Sequence, residues 1–258
     1  QTTRNRIICV YTDEEKQIIF MDTPGVHKPK HKLGEFMVDA AIESLKETEA
    51  VLFVVAGNEK RGPGDNFIIE QLKRVKVPVF LVVNKIDTLQ KEQVLEAIVS
   101  YQDAYPFAGV IPISAKNKEN LSELLNVLGE HLPEGPQYFP EDMITDQPER
   151  LIISDIVREK ILLSTRDEIP HAIAVDVDEM KTRDDGTTYI RATIYCERDS
   201  QKGIIIGNKG ALLRKIGAEA RMDIQKLLAT KVYLDLWVKV KKDWRNKSGM
   251  LSELGYKK

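Results

Sequence analysis

Two continuous apolar runs constrain the fold of this chain more than any other feature of its sequence. The runs AVLFVVA (50–56) and VPVFLVV (77–83) have the length of strands and leave no polar position for a solvent face. Strands of this kind are buried on both faces, as in a parallel sheet covered by helices. Shorter strand-like runs and helical patterns alternate with them, at 6–11, 17–21, 33–48, 65–74, 90–101, 109–113 and 121–131. Residues 1–132 therefore predict an α/β domain.

The pattern changes between residues 133 and 148, where four prolines stand among few apolar residues. This composition predicts an interdomain linker. Residues 149–258 then predict a second domain, α+β, in the order helix, strand, strand, helix, helix, strand. Its strands are expected at 171–178, 187–197 and 231–241, and all three can share one sheet.

Two tryptophans of the second domain have no clear role in this pattern. Trp237 alternates onto the face of its strand opposite Leu234 and Leu236. Packing beneath the first helix of the domain is favoured for it over stacking with a nucleic-acid base. Trp244 follows a basic stretch and is assigned to neither role.

Charge is distributed unevenly along the chain. From residue 200 to 258 there are 14 Lys or Arg and 5 Asp or Glu, a balance of +9, so the rest carries −11 to reach the net charge of −2. Such a run is either a solvated face or a surface for a polyanion. A motif has to decide between them.

A short polar motif follows directly on the run VPVFLVV and consists of Asn84, Lys85, Ile86 and Asp87. Ligands of α/β sheets bind outside the carboxyl ends of the strands, so its position fits a ligand contact. The Asp87 carboxylate can accept two parallel N–H bonds, which guanine offers on one edge and adenine does not. Asn84 can brace the loop, and the Lys85 stem can cover one face of the base. Alone, this four-residue pattern is a weak signal.

A second motif at a strand end is formed by Asp22, Thr23, Pro24 and Gly25. An aspartate in this place can hold Mg²⁺ through water, and the Gly25 N–H can reach a terminal phosphate. Read alone, the same four residues are an ordinary turn.

Two further motifs complete the set. Ser114, Ala115 and Lys116 follow the run GVIPI, where a backbone N–H can meet the guanine carbonyl, although they could also merely begin a helix. Thr2 and Thr3 open the chain, and a threonine hydroxyl is a suitable Mg²⁺ ligand. Four such elements in this order make coincidence improbable.

In this order the motifs QTTR, DTPG, NKID and SAK resemble the second to fifth motifs of the translation-factor-related GTPases. The resemblance implies a P-loop GTPase domain that binds GTP or GDP with Mg²⁺ and hydrolyses GTP to GDP and phosphate. In that class the residue after the DTPG-type glycine is often a glutamine that orients the attacking water. Here it is Val26, which has no hydrogen-bonding group, so no catalytic residue is assigned with certainty and slow hydrolysis is expected.

The phosphate-binding pattern GxxxxGK[ST] does not occur before the first of these motifs. We therefore expect that the sequence as given lacks the first strand and the P-loop of the domain through truncation. The chain as written is expected to bind GTP weakly or not at all.

The second domain carries a glycine loop inside the segment GIIIGNKGALLRKIG (203–217), formed by Gly207, Asn208, Lys209 and Gly210. Glycines let a backbone approach phosphate closely, and the N-terminus of the helix that follows favours anions. Between two helices in this element order, the loop resembles that of a type II KH domain, which clamps single-stranded nucleic acid. Arg214 and Lys215 lie one turn further, either as phosphate contacts or as a solvated helix face.

A GTPase domain, a proline-spaced linker and a KH domain with a GNKG loop together resemble the Era GTPases over essentially the whole chain. The resemblance implies GTP-dependent binding of small-subunit ribosomal RNA during assembly of the 30S subunit, with loose peripheral membrane association. EngA-type GTPases fit poorly because they carry two GTPase domains. A non-catalytic RNA-binding module with a GTPase remnant as scaffold stays open. No apolar run reaches the roughly 20 residues of a membrane span and no signal peptide opens the sequence, which favours the cytoplasm.

Overall fold

The computed structural model describes residues 3–25, 29, 31–166 and 168–256. The chain divides into two compact units. The α/β unit is formed by Asn5–Pro29 and Met37–Thr145, and the α+β unit by Gln1–Arg4, Lys30–Phe36 and Asp146–Lys258. Within the described ranges, no helix is both long enough and apolar enough to cross a membrane.

The α/β unit begins with a hairpin of β1 (Ile7–Thr12) and β2 (Gln17–Asp22), which pair antiparallel. Its turn is held by the Asp13 carboxylate, which accepts the N–H groups of Glu15 and Lys16 at 2.9 Å each. Side chains of this type favour turns because they satisfy the backbone locally. The hairpin therefore ends β2 at the aspartate of the DTPG motif.

Part of the proline-containing segment packs along this hairpin. The Val10 N–H donates to the Ile144 carbonyl at 2.8 Å, and the Thr145 hydroxyl donates to the Ile8 carbonyl at 2.6 Å. On the neighbouring strand, the Gln17 side chain accepts the Phe139 N–H at 2.9 Å. These contacts fix residues 139–145 against the α/β unit.

A three-stranded parallel sheet forms the centre of the unit, in the order β3 (Val51–Ala56), β4 (Val79–Asn84) and β5 (Gly109–Pro112). Apolar side chains cover it on both faces. Leu81 and Val83 belong to one cluster, whereas Phe80 and Val82 belong to the other. The central strand is buried from Val79 to Val83, as its uninterrupted apolar sequence predicts.

Four helices have residues in this unit: α1 (Lys32–Ser44), α2 (Pro63–Leu72), α3 (Lys91–Gln102) and α4 (Leu121–Gly129). α2 shows why such a helix starts where it does. Pro63 stands at its first position, and the Asp65 carboxylate accepts the Gly62 N–H at 2.7 Å. In α1, residues up to Phe36 belong to the α+β unit and the rest to the α/β unit.

The α+β unit contains α5 to α9 and β6 to β8. Their bounds are α5 (Glu149–Ser164), α6 (Ile169–Ala172), β6 (Ala174–Thr182), β7 (Thr188–Cys196), α7 (Asp199–Ile206), α8 (Ala211–Leu228), β8 (Val232–Val240) and α9 (Ser248–Glu253). The sheet order is β6-β7-β8, with β6 antiparallel and β8 parallel to β7. This is the predicted arrangement with two short helices, α6 and α9, added.

One face of this sheet carries the core of the unit. Residues with zero exposure recur at helical spacing in α5 (Ile153, Val157, Ile161) and α8 (Ile216, Ala220, Ile224), and alternate in β7 (Ile190, Ala192, Ile194). Because successive strand residues point to opposite faces, the odd-numbered residues of β7 and β8 lie on the other side. That side is called the outer face below.

Two predictions for this unit are wrong. His171 was expected in a strand, but it lies in α6, and β6 begins only at Ala174. Pro170 explains this, since proline suits the first turn of a helix and cannot donate to a strand ladder. Trp237 does not pack beneath a helix, because its position is on the outer face, where it is 54% exposed. Trp244 is the buried tryptophan, and its Nε1 donates to the Ala172 carbonyl at 2.9 Å.

Candidate nucleotide and RNA sites

Asn84 ends β4 and joins two loops at the carboxyl edge of the parallel sheet. Its Oδ1 accepts the Lys85 N–H at 2.7 Å and the Ala115 N–H at 3.1 Å. Lys85 has a left-handed backbone with φ of 68°, which this local bond stabilises. The bracing role predicted for Asn84 thus has a definite geometry: one amide oxygen ties the NKID loop to the SAK loop.

The Asp87 carboxylate is oriented by the second of these loops. The Ser114 hydroxyl donates to Asp87 Oδ1 at 2.7 Å and accepts the Asn117 N–H at 3.1 Å. Ser114 is fully buried, whereas Asp87 is exposed. A buried hydroxyl therefore holds a carboxylate that faces outward at the sheet edge. This is the arrangement that acceptance of two parallel N–H groups from a base requires.

The other residues predicted at this edge surround that carboxylate. Lys85, Ala115 and Lys116 are exposed, and Lys85 Nζ lies 3.7 Å from the Glu59 carboxylate. Ile86 is partly buried, and its N–H donates to the Ile113 carbonyl at 3.2 Å. The structure thus brings the NKID and SAK motifs together as one edge site.

The DTPG motif lies at the carboxyl end of β2. Asp22 is exposed, Thr23 is half-buried and Pro24 is buried. A Cβ placed on Gly25 would meet no atom of the described residues within 4 Å, so the space at that position is open among them. No cluster of three or more His, Cys, Asp or Glu suited to a metal occurs among the described residues. Thr2, predicted as a Mg²⁺ ligand, and Val26, which stands where an orienting glutamine is usual, lie outside the described residues.

Thr3 is half-buried and belongs to the α+β unit. The next residue, Arg4, has a structural role that the sequence did not predict. Arg4 is only 3% exposed, and its guanidinium donates to the carbonyls of Ile173 at 2.5 Å and of Pro170 and His171 at 3.3 Å. It also lies over the Trp244 ring, 5.9 Å from the centroid. Burial lowers the pKa of Arg4. No local sequence pattern predicts these hydrogen-bond partners of Arg4, because they lie more than 160 residues away along the chain.

His31 is held in the same unit. Its Nδ1 accepts the Gly34 N–H at 3.1 Å, and its Nε2 lies 3.1 Å from the guanidinium of Arg245, which pairs with Glu197 at 2.5 Å. Burial and the Arg245 charge lower the pKa of His31. Both ring nitrogens face donors, so an added proton finds no acceptor.

The GNKG loop turns the chain between α7 and α8 with unusual backbone angles. Gly207, Lys209 and Gly210 have φ of 72°, 48° and 78°. A Cβ on Gly207 would lie 2.7 Å from the Leu212 Cβ, so only glycine fits there. Asn208 and Lys209 are exposed at the loop tip. The loop therefore presents its backbone and one ammonium at the N-terminus of an 18-residue helix, a favourable place for phosphate.

Arg214 and Lys215 lie one turn into α8 and are both exposed. The Arg214 guanidinium approaches a Cβ placed on Gly210 to 4.0 Å, so it lies next to the loop. Lys215 is 3.9 Å from the Glu219 carboxylate, an exposed pair of little energetic weight. Arg214 is thus better placed than Lys215 to extend the cation surface of the loop.

Two family patterns match this chain. Residues 2–134 match the elongation factor Tu GTP binding domain, and residues 168–245 match the KH domain. With the sheet edge and glycine loop just described, these matches define a GTP-binding domain followed by an RNA-binding KH domain.

Solved structures narrow the class to one family. A crystal structure of Era in complex with MgGDPNP and nucleotides 1506–1542 of 16S ribosomal RNA is 41% identical, with a TM-score of 0.94 over 99% of this chain and 87% of that chain. A crystal structure of a variant of Aquifex aeolicus Era bound to GDP and AlF4− is also 41% identical, with a TM-score of 0.93 and the same coverage. The chain belongs to the Era family of GTPases. The resemblance inferred from QTTR, DTPG, NKID, SAK and GNKG is confirmed.

Proposed function

We propose that this chain binds GTP and GDP with Mg²⁺, but weakly, at the carboxyl edge of its parallel sheet, and single-stranded small-subunit ribosomal RNA at the GNKG loop. The observation that carries the nucleotide half is the Asp87 carboxylate held by Ser114 beside the Asn84 brace. The ligands named for the two Era structures, MgGDPNP, GDP and 16S ribosomal RNA, support both halves.

The residues at the sheet edge have distinct proposed tasks. Asp87 accepts two N–H groups of guanine, and the Ala115 and Lys116 backbone faces its carbonyl. The Lys85 stem covers the base, while Ile86 anchors the loop beneath it through its bond to the Ile113 carbonyl.

A Mg²⁺ ion fits the residues at the end of β2. An exposed carboxylate at Asp22 and open space at Gly25 suit an ion that keeps most of its water and takes few protein ligands. Thr2 and Thr3 are hydroxyl ligands that only the QTTR motif predicts. When bound, the ion supplies charge neutralisation at the phosphates.

Hydrolysis is proposed to be slow because Val26 cannot orient water. Single-turnover GTP hydrolysis, with and without RNA, tests this proposal. Rates well below those of GTPases with an orienting glutamine but above background are expected. Hydrolysis at the uncatalysed rate both with and without RNA would contradict the proposal and would favour a non-catalytic scaffold role for the α/β unit.

The wider assignments rest on family membership. We propose a GTPase domain at 1–132, a linker at 133–148 and a KH domain at 149–258, and the two family matches support this division. A role in 30S subunit assembly, a cytoplasmic location and peripheral membrane contact are carried over from the Era family alone.

Asp87→Asn tests the base contact. Replacing one carboxylate oxygen by an NH2 group removes an acceptor for the guanine amino group and offers a donor to the carbonyl of xanthine at the same position. The ratio of GDP to xanthosine diphosphate affinity, measured by calorimetry, should fall at least about tenfold. The ratio is informative even if both affinities are low. An unchanged ratio would remove Asp87 from the base site.

A further inference from the structure

The outer face of the β6-β7-β8 sheet carries aromatic side chains that the proposed GNKG site does not use. Tyr189 and Tyr233 lie directly opposite in the ladder, with stacked rings 5.9 Å apart and an interplanar angle of 17°. Tyr233 is 53% exposed, and Trp237, four residues along β8, is 54% exposed. At the rise of a strand the two lie about 13 Å apart. Exposed aromatic groups that share one strand face form the kind of patch that marks a binding surface.

Cations lie among these rings. The Arg183 guanidinium is 4.8 Å from the centroid of Tyr189 and 4.9 Å from that of Tyr233. Arg191 is 5.8 Å from the centroid of Tyr189. Lys239 is exposed two residues beyond Trp237 on the same face. We call Arg183, Tyr189, Arg191, Tyr233, Trp237 and Lys239 the aromatic face.

The carboxylate within this surface orients its rings. Asp235 accepts the Tyr189 hydroxyl at 3.1 Å and the Trp237 Nε1–H at 3.0 Å, and it lies 3.6 Å from Arg191. Arg191 also lies 3.6 Å from Glu179. The aromatic face thus contains three cations, of which Arg191 lies near both carboxylates, and Lys181 pairs with Glu179 at 2.8 Å. Two further acids of this side, Asp176 and Asp178, lie on β6, two strands away from Trp237, and Asp185 lies in the turn next to Arg183.

We propose that the aromatic face binds a second single-stranded RNA segment, in addition to the one proposed for the GNKG loop on which this inference rests. One base stacks on the exposed Trp237 ring and another on the Tyr233–Arg183 pair, while Lys239 meets a phosphate. Aromatic rings and guanidinium planes interleaved with cations are the means by which sheets bind unstacked bases. Positive charge at exposed rings favours a polyanion over a purely apolar protein partner, and rings and guanidinium planes that can stack on bases favour RNA over an acidic protein.

The position of the face suits one RNA strand that continues from the loop. β8 is an edge strand, and it contacts both α7 and α8, the helices that flank the GNKG loop. The RNA therefore has to pass only the β8 edge to reach Trp237. A short RNA that fills the loop alone should leave the aromatic face empty.

Tryptophan fluorescence can test the proposal because the chain has two tryptophans in opposite environments. Trp244 is fully buried, whereas Trp237 is half exposed. An RNA of about 16 nucleotides should quench the emission of Trp237, and an RNA of about four nucleotides, the length that the loop clamps, should not. Trp237→Phe should abolish this quenching. No Trp237-dependent quenching by the longer RNA would overturn the proposal.

Affinities of variants provide the second readout. Trp237→Ala and Tyr233→Ala should each weaken binding of the longer RNA about tenfold, without changing affinity for the short one. Tyr138→Ala is the matched control, since Tyr138 is 74% exposed in the α/β unit. Equal loss for both RNAs, or none for either, would contradict the proposal. If the aromatic face binds a protein instead of RNA, substitutions in it will not change the affinity for either RNA, and the proposal is likewise rejected.

The same RNAs separate this inference from the proposed function. If Asn208→Asp with Lys209→Asp abolishes binding of the short RNA while Trp237→Ala changes nothing, the loop site stands and the aromatic face is rejected. If Trp237-dependent quenching persists while the loop variant binds the short RNA normally, the loop assignment is rejected and the aromatic face stands.

Discussion

Gly207 shows how a single residue sets the shape of the RNA loop. Its φ of 72° is costly for other residues, and an added Cβ would also collide with Leu212. Gly207→Ala should therefore destabilise the protein by about 2 kcal/mol. Urea unfolding followed by circular dichroism measures this loss.

Gly203 is the matched control for that experiment. It lies inside α7, and a Cβ added there would meet nothing within 4 Å. Gly203→Ala should stabilise the protein by about 0.5–1 kcal/mol, because alanine loses less backbone freedom in a helix. A similar effect of the two substitutions, in size and sign, would show that the loop conformation does not depend on Gly207.

His31 makes stability depend on pH. Its lowered pKa in the folded state means that the unfolded chain binds the proton more readily, with an unfolded pKa of about 6.5. The stabilisation is therefore complete above that pH and is lost as the pH falls below it. The melting temperature of His31→Gln should fall less between pH 7.5 and pH 5.5 than that of the wild type. An equal fall would show that protonation of His31 is not resisted in the fold.

The base-binding chemistry of Asn84 and Asp87 at the sheet edge could be predicted from the sequence, but the hydrogen bonds that hold these side chains in place could not. Asn84 and Asp87 follow a strand whose burial is evident from its sequence, so their position and chemistry are both local. The bond from Ser114 to Asp87 joins two loops, and predicting it required both motifs to be placed at one edge. The role of Arg4 rests on carbonyls more than 160 residues away.

At the scale of elements, α6 illustrates how a very short helix is stabilised. It has four residues and thus few internal hydrogen bonds. Arg4 and Trp244 donate to the carbonyls at its end, which its own backbone cannot satisfy. α6 therefore depends on side chains from both ends of the chain.

Arg4→Ala tests this dependence. The substitution leaves several buried carbonyls without a donor and should cost about 3 kcal/mol in the free energy of unfolding. Arg6→Ala is the control, because Arg6 forms an exposed ion pair with Glu47 at 2.7 Å and should change stability by less than about 0.5 kcal/mol. Comparable losses in the two variants would mean that Arg4 is not an anchor.

Elements with strong periodicity were predicted well, and those without it were missed. β4 and β8 are found within two residues of their predicted bounds. β4 is buried on both faces and so has a continuous apolar sequence, whereas β8 is buried on one face and so alternates between apolar and polar residues. α6 and α9 span only four and six residues, too few for a helical period to emerge. The prediction for Trp237 was wrong because the alternation of a strand shows which residues share a face but not which face is packed against helices.

At the scale of the whole molecule, the uneven charge is expected to govern RNA binding. The balance of +9 over residues 200–258 includes the cations of the GNKG loop and of α8. The affinity for single-stranded RNA should therefore fall steeply with salt. Lys209→Gln should reduce the slope of log affinity against log salt by about 0.7, the value for one contact with a single strand. An unchanged slope would place Lys209 away from phosphate.

A double substitution at the tip of the GNKG loop tests whether this loop is the RNA clamp. Asn208 and Lys209 are exposed at the loop tip, so replacing both by aspartate puts two negative charges against the phosphates without disturbing the core. Fluorescence anisotropy at fixed salt gives the affinity of this variant for a short single-stranded RNA from the 3′ end of the small-subunit ribosomal RNA. We predict a loss of at least about 100-fold relative to the wild type, with an unchanged melting temperature. Unchanged affinity would contradict the assignment of the loop as the site of RNA binding.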